Sequence, residues 1–257
     1  MLDHLALDHY PVGVAAIALS VAIVLACQIA MRKIISPETL KKAHEVGGYY
    51  LALVGTFYAV LLGLVVLDAM AKFQTAEKTV QNEAKALLSI LSLAEQFPRE
   101  QASIKAFVRD YAREVAADEW ARMEKGEISQ RAQNDLLALA HLVKGLDPKT
   151  QNQQSVHAAM LSESISLWES RLERTRVSNF GVPSAEWTVL LVGALITIAF
   201  TFFFTIESHG IHLIMRGMVT LLIAMSLYLV LLFGSPFSGD LKVSERPFLF
   251  VTDVASH

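Results

Sequence analysis

No charged residue interrupts four long apolar runs, at 12–31, 46–67, 187–206 and 217–239. A helix needs roughly 20 apolar residues to cross about 30 Å of hydrocarbon, and each run meets that length. The runs stand in two pairs around a polar insert whose apolar residues recur at helical spacing. This layout predicts an all-α membrane protein, with four transmembrane helices in two pairs flanking a helical extramembrane domain. The expected division is 1–71 for the N-terminal segment and first helix pair, 72–185 for the helical domain, 186–239 for the second pair and 240–257 for the tail.

Hydrophobic residues make up 53% of the chain and mean hydropathy is +0.42, as expected where about a third of the residues lie in lipid. Asp3 and Asp8, rather than basic residues, precede the first run, so it reads as a retained span and not as a secretory signal. Cys27, the single cysteine, lies inside that run, which excludes a disulfide framework and a cysteine-based metal site. Acidic and basic residues are nearly balanced in the insert and form no like-charged block, so nucleic acid is not an expected partner.

With four spans, the N-terminus, the insert and the tail share one side of the membrane. Arg32, Lys33, Lys41 and Lys42 crowd the loop between the first two spans, whereas no Lys or Arg precedes residue 12. The positive-inside rule then makes that loop cytoplasmic and the helical domain extracytoplasmic, in a multi-pass protein of the cell (inner) membrane. Lys72, Lys78, Lys85, Arg171, Arg174 and Arg176 give the opposite signal, but long loops translocate largely regardless of charge.

The second span is the most distinctive. Gly48, Ala52, Gly55, Ala59 and Gly63 fall on one helical face, which suits close approach of another helix or of a pore axis, and Phe57 and Tyr58 lie deep in the span. Glu45 and Asp68 bracket it and would stand at the two mouths of a pore. From Asp68 to Gln96 there is no Gly or Pro, so the span is expected to run on into the insert as one helix, with Phe73, Val80, Ala84, Leu87, Leu91 and Ala94 facing partner helices. Three further helices follow, at 100–125, 127–144 and 151–178. The last is expected to bury His157, Leu161, Ile165, Trp168 and Leu172.

Catalytic signatures are missing: there is no nucleophile elbow, zinc-protease motif or phosphate-cradling loop, so an enzyme is not expected and no cofactor is called for. Asp110, Glu114, Asp118 and Glu119 interleave with Arg109, Arg113 and Arg122, a pattern read as a solvated, salt-bridged face rather than an ion site. Glu207, His209 and His212 could share a helical face but lack a further metal ligand.

Several local motifs together resemble a family of uncharacterised bacterial membrane proteins described as bestrophin-like. They are Glu45-Val46-Gly47 leading into Phe57-Tyr58-Ala59-Val60-Leu61-Leu62-Gly63, then Glu119-Trp120, and then Pro236-Phe237-Ser238-Gly239-Asp240, with Arg246-Pro247-Phe248 in the tail. Bestrophins are pentameric anion channels whose second helices line the pore. The resemblance therefore implies a homo-oligomer conducting a small anion, with Phe57 and Tyr58 near a neck and Leu61 and Leu62 near its lower part. Only Asp240 follows the Pro-Phe turn where calcium-gated bestrophins carry an acidic cluster, so no metal is expected. The alternative is a membrane-anchored sensor or scaffold whose helical domain binds an envelope partner.

Overall fold

A computed structural model describes residues 8–34, 37–179, 181–204 and 208–257, with side chains outside 32–47, 179 and 209. The helices are α1 (Tyr10–Ile34), α2 (Pro37–Ala94), α3 (Gln101–Glu114), α4 (Trp120–Met123), α5 (Gln130–Lys144), α6 (Gln151–Asn179), α7 (Ser184–Thr201), α8 (His209–Gly234) and α9 (Arg246–Val254). No strand occurs among the described residues. Four of the helices are long and apolar enough to cross a membrane. The second continues without a break well past the length a bilayer requires, because nothing between Pro37 and Ala94 interrupts its hydrogen bonds.

The chain divides into two compact units. The membrane unit holds α1, the first half of α2, α7 and α8. Its core is Tyr58, Leu62, Leu190, Ala194, Ile223 and Val230. Close approach is made by glycines outside the second span. A Cβ on Gly193 of α7 would fall 2.5 Å from the Tyr58 ring, and one on Gly13 of α1 would collide with Tyr228 of α8. At Gly55 and Gly63 a Cβ would meet nothing within 4 Å.

Two span boundaries differ from the hydropathy reading. The third apolar helix ends at Thr201 and the fourth begins at His209, so Arg216 lies inside α8 rather than ahead of it. Arg216 is buried because its guanidinium caps α7. It donates to the Thr201 carbonyl (2.6 Å) and hydroxyl (3.1 Å) and stacks 4.1 Å from the centre of the Phe202 ring. A cation at a helix C-terminus meets the negative end of the dipole, which offsets the cost of its burial.

The helical unit holds the remainder of α2 with α3 to α6 and α9. Its core runs through Ala76, Val80, Ala84, Leu87 and Ile90 of α2, Ile104, Val108 and Tyr111 of α3, Leu136, Leu139 and Val143 of α5, and Met160 and Leu167 of α6. On α6 the expected stripe holds only at its start, where His157 and Leu161 are half-buried against the core, and fails beyond it. Met160, Leu167, Arg171 and Arg174 turn inward, while Ile165, Trp168 and Leu172 are exposed. Charge pairing, and not apolar periodicity, orients that helix.

The tail forms an element that hydropathy did not single out. Pro247 stands in the first turn of α9, where its missing N–H costs nothing, and Phe248 and Val251 enter the core.

Candidate functional site

Glu83 occupies a core position of α2, in register with Val80 and Leu87, and is fully buried. An isolated carboxylate there would cost several kcal/mol or lose its charge. Arg174 of α6 meets it in a two-pronged pair, Nε to Oε2 at 2.6 Å and Nη2 to Oε1 at 2.9 Å. Arg174 Nη2 also reaches Glu119 Oε2 at 3.1 Å. Arg171, one turn earlier on α6, grips Glu119 with both prongs at 2.7 and 2.8 Å. Two carboxylates and two guanidiniums thus alternate inside the domain and their formal charges cancel.

Neighbouring dipoles satisfy what remains. The Tyr111 hydroxyl donates to Glu83, and the Ser129 N–H donates to Glu119. Arg171 also donates to the Ser129 carbonyl and to Gln133 Oε1, each at 3.3 Å. The Arg174 guanidinium lies 5.7 Å from the Trp120 ring centre and 5.5 Å from that of Phe248, within cation–π range. Burial works against the Glu119 anion, but the charges and hydrogen bonds of Arg174 and Arg171 outweigh it and hold this carboxyl below its ordinary value. Burial, with the Glu83 carboxylate beside it, pushes the Tyr111 hydroxyl far up, so Tyr111 remains a neutral donor.

A π-turn at Val115–Glu119 brings Glu119 and Trp120 into this site. In a regular α-helix Trp120, nine residues after Tyr111, would point to about the opposite side at roughly 100° per residue. The wider turn, closed by the Trp120 N–H on the Val115 carbonyl, absorbs one residue and returns Trp120 and Met123 to the core face. Glu119 is therefore buried rather than part of the solvated, salt-bridged face expected of the acidic run. Its neighbours stay there: Asp110 pairs with Arg109, Asp118 with Arg122 and Glu114 with Arg131. Among the described residues no group of three His, Cys, Asp or Glu side chains could hold a metal ion.

The Pro-Phe turn splits its residues between the two units. Phe237 packs edge-on to Trp120, centres 5.5 Å apart, and the Trp120 indole N–H donates to the Val243 carbonyl at 3.1 Å. The Pro236 carbonyl accepts from the Val243 N–H, closing the turn. Gly239 has φ +72°, and a Cβ there would lie 2.6 Å from that of Asp8. Asp240 then accepts the backbone N–H of Tyr10, the first residue of α1, at 2.7 Å and contacts His9 Nδ1 at 2.9 Å. His9 and the Tyr10 N–H hold the Asp240 carboxyl below its ordinary value. This carboxylate caps a helix across the sequence.

Along the second span the residues singled out from sequence part company. Tyr58 and Leu62 pack inside the membrane unit, and Tyr58 is only 8% exposed. Phe57 is 70% exposed and shares an open face with Tyr49, Leu53, Val60, Leu64 and Leu67. Ala52, Ala59 and Gly63 are exposed, and Gly48 has only Phe204 nearby, 3.8 Å from where its Cβ would be. Asp68 is exposed, and the side chains of Glu45, Glu207 and His209 lie outside the described residues. His212 contacts Arg216 at 3.1 Å. Glu83, Arg171 and Arg174 were missed as site residues; the available signal was a glutamate on the apolar stripe of α2.

Comparisons with known proteins agree with this architecture. Structures of a bacterial bestrophin homologue from Klebsiella pneumoniae superpose on the chain. A first mutant form gives a TM-score of 0.74 at 13% identity, covering 95% of this chain and 99% of that one. A second gives 0.73 at 12% identity over 95% and 97%. The form phased on zinc gives 0.70 at 13% over 92% and 98%. At such identities the likeness is one of fold. No curated protein matches the sequence. The family model described as the bestrophin-like domain matches residues 18–248, a stretch that takes in three of the spans whole, most of the first, the buried charge network and the Pro-Phe turn, and the chain belongs to the bestrophin-like family of membrane proteins.

Proposed function

We propose that this protein is a homo-oligomeric ion channel for small anions, with the second membrane helix of each subunit near the pore axis. The observation that carries the reading is the open face of α2: Phe57, Val60, Leu64 and Leu67 are exposed on a membrane helix of which the opposite side, at Tyr58 and Leu62, is packed against its own subunit. Lipid-facing side chains are exposed on the other spans too, as at Leu19 of α1 and Leu222 of α8; what favours symmetry copies around an axis here is that the open face of α2 borders an exposed small-residue row at Ala52, Ala59 and Gly63. Phe57 is the narrowing residue in this reading, with Gly48, Ala52, Ala59 and Gly63 along the same helix and Glu45 and Asp68 at its ends. A pentamer follows from the bestrophin analogy. The protein works as a conduit and not as an enzyme.

The helical domain forms a vestibule on the extracytoplasmic side, on the strength of Arg32, Lys33, Lys41 and Lys42 in the opposite loop. A membrane-impermeant thiol reagent applied to intact cells should label a cysteine introduced on the domain surface after Cys27→Ser; labelling only in opened cells would reverse the orientation.

Purified protein in planar bilayers tests the channel itself. Anion-selective current is expected, and Phe57→Ala should raise single-channel conductance with the oligomer unchanged. Absence of current at every voltage and salt tried, from a preparation shown to be a ring, would remove the channel reading and favour a sensor or scaffold.

A further inference from the structure

The water-facing helical domain leaves two apolar patches outside its core. On α6, Ile165 and Leu172 are each 61% exposed and Trp168 is 40% exposed. With Glu169 they sit at i, i+3, i+4 and i+7, which makes one continuous stripe. On α9, Leu249 is 47% and Phe250 59% exposed, and Arg246 lies three and four residues before them on the same face. Within the chain neither the Glu169 carboxylate nor the Arg246 guanidinium has an ion-pair partner among the described residues, although other acids and bases of this surface pair with one another. Asp253 lies near the far end of α9 and Glu245 sits at its N-cap position, so Arg246 is the positive charge that α9 offers beside Leu249 and Phe250.

We infer that these two patches are the two halves of one subunit interface: the α6 stripe of one copy receives the α9 face of the next, with Glu169 opposite Arg246. The occupant is a second copy of this chain, for three reasons. The patches are both aromatic and aliphatic, they carry opposite unpaired charges, and they lie on different helices. In a two-fold dimer each contact occurs twice across one self-complementary surface, whereas a closed ring of more than two copies joins two unlike patches head to tail. The membrane holds every copy in the same orientation, so repeated head-to-tail contact proceeds around an axis normal to the bilayer and can close. A tryptophan amid aliphatic residues with charges at the edge is the composition that dominates interface energetics. The inference rests on the homo-oligomeric reading above and adds which surfaces meet.

The test uses the full chain in lipid nanodiscs with Cys27→Ser. Ile165→Cys and Phe250→Cys are made singly and together and treated with a short bismaleimide, while native mass is measured on the same samples. The double variant is expected to give a ladder on a denaturing gel ending at the native stoichiometry, and either single variant none. Charge reversal provides an independent arm: Glu169→Arg and Arg246→Glu should each shift native mass toward monomer, and the pair together should restore the oligomer. An oligomer that gives no ladder, that leaves both cysteines open to a water-soluble maleimide, or that crosslinks through a single variant overturns this interface while leaving the oligomer standing. A monomeric native mass for the unsubstituted chain overturns the homo-oligomeric reading itself.

Discussion

Replacing Arg174 by methionine is the sharpest probe of the helical domain. The side chain is fully buried, and among the described residues it is the one that ion-pairs with both Glu83 and Glu119. Methionine fills comparable volume and stays compatible with Met123, the sulfur of which accepts from Arg174 Nη1. The change therefore removes charge with little loss of packing. It leaves two carboxylates and only Arg171 in a region closed to water. Breaking a buried pair by deleting one partner costs about 3–5 kcal/mol, a large share of a domain stability of roughly 5–15 kcal/mol.

For a unit of this size, 1 kcal/mol moves the melting temperature by about 3–5 °C, so a fall of about 10–20 °C is expected. Intrinsic fluorescence is a suitable assay because Trp120 lies against the deleted guanidinium and reports on this domain directly. Scans should share one rate, since membrane proteins commonly unfold irreversibly. The double variant Glu83→Gln with Arg174→Met restores charge balance and keeps an acceptor for Tyr111. It should recover all but about 1–2 kcal/mol, the cost of one poorly matched buried amide. Raising salt should not narrow the gap between wild type and Arg174→Met, because buried charges are weakly screened. A loss below about 1 kcal/mol, or a double variant no better than the sum of its parts, would refute the claim that the pairing holds α6 in register.

Three further outcomes follow from the same geometry. Because the Glu119 carboxyl sits below its unfolded-state value, its stabilisation is complete above about pH 5 and is lost as pH falls toward the folded-state value; the melting temperature should drop on acidification, Glu119→Gln should flatten that slope, and a rise in acid would contradict it. Trp120→Phe keeps the ring contacts with Phe237 and Phe248 but deletes the donor to the Val243 carbonyl, for a loss of about 1–2 kcal/mol, read by calorimetry because the substitution removes the fluorophore. Gly239→Ala forces a left-handed backbone costing roughly 1–2 kcal/mol and drives a methyl into Asp8, so hydrogen exchange at the Tyr10 amide should accelerate as the Asp240 cap is displaced; unchanged protection there would show that the turn does not position the cap.

The membrane helices were legible because lipid imposes a length and forbids charge, and neither demand depends on what packs against what. The continuation of α2 into the domain was legible for a related reason: a helix persists until something stops it, and no glycine or proline does so before Pro98. Boundaries at the turn between α7 and α8 were not, since Arg216 looks like an end signal until the free Thr201 carbonyl that it caps is seen. Glu119 and Trp120 could be picked out as a motif by resemblance, yet the acidic run that contains Glu119 reads as solvated and salt-bridged, although spacing sets only Asp110, Glu114 and Asp118 on one side. A π-turn leaves no reliable mark in a single sequence, and a 3.6-residue period carried through it misplaces everything beyond.

The second half of α6 shows why apolar periodicity alone assigns the wrong face there, although His157 and Leu161 at its start do turn inward. Ile165, Trp168 and Leu172 make the stronger hydrophobic stripe, whereas the stripe that is buried is broken by Arg171 and Arg174. Glu83 contains the information that corrects this. A carboxylate three residues after Val80 and four before Leu87 must enter the same core as they do, and a buried carboxylate requires a buried cation. Two helices of the described insert carry arginines one turn apart, α3 at Arg109 and Arg113 and α6 at Arg171 and Arg174, and on α6 they stand one and two turns from the buried Leu167. Reading charge at core register as a demand for countercharge at another core register would have rotated α6 to its observed face. It would also have released the stronger apolar stripe to the surface, where the proposed subunit contact would cover it.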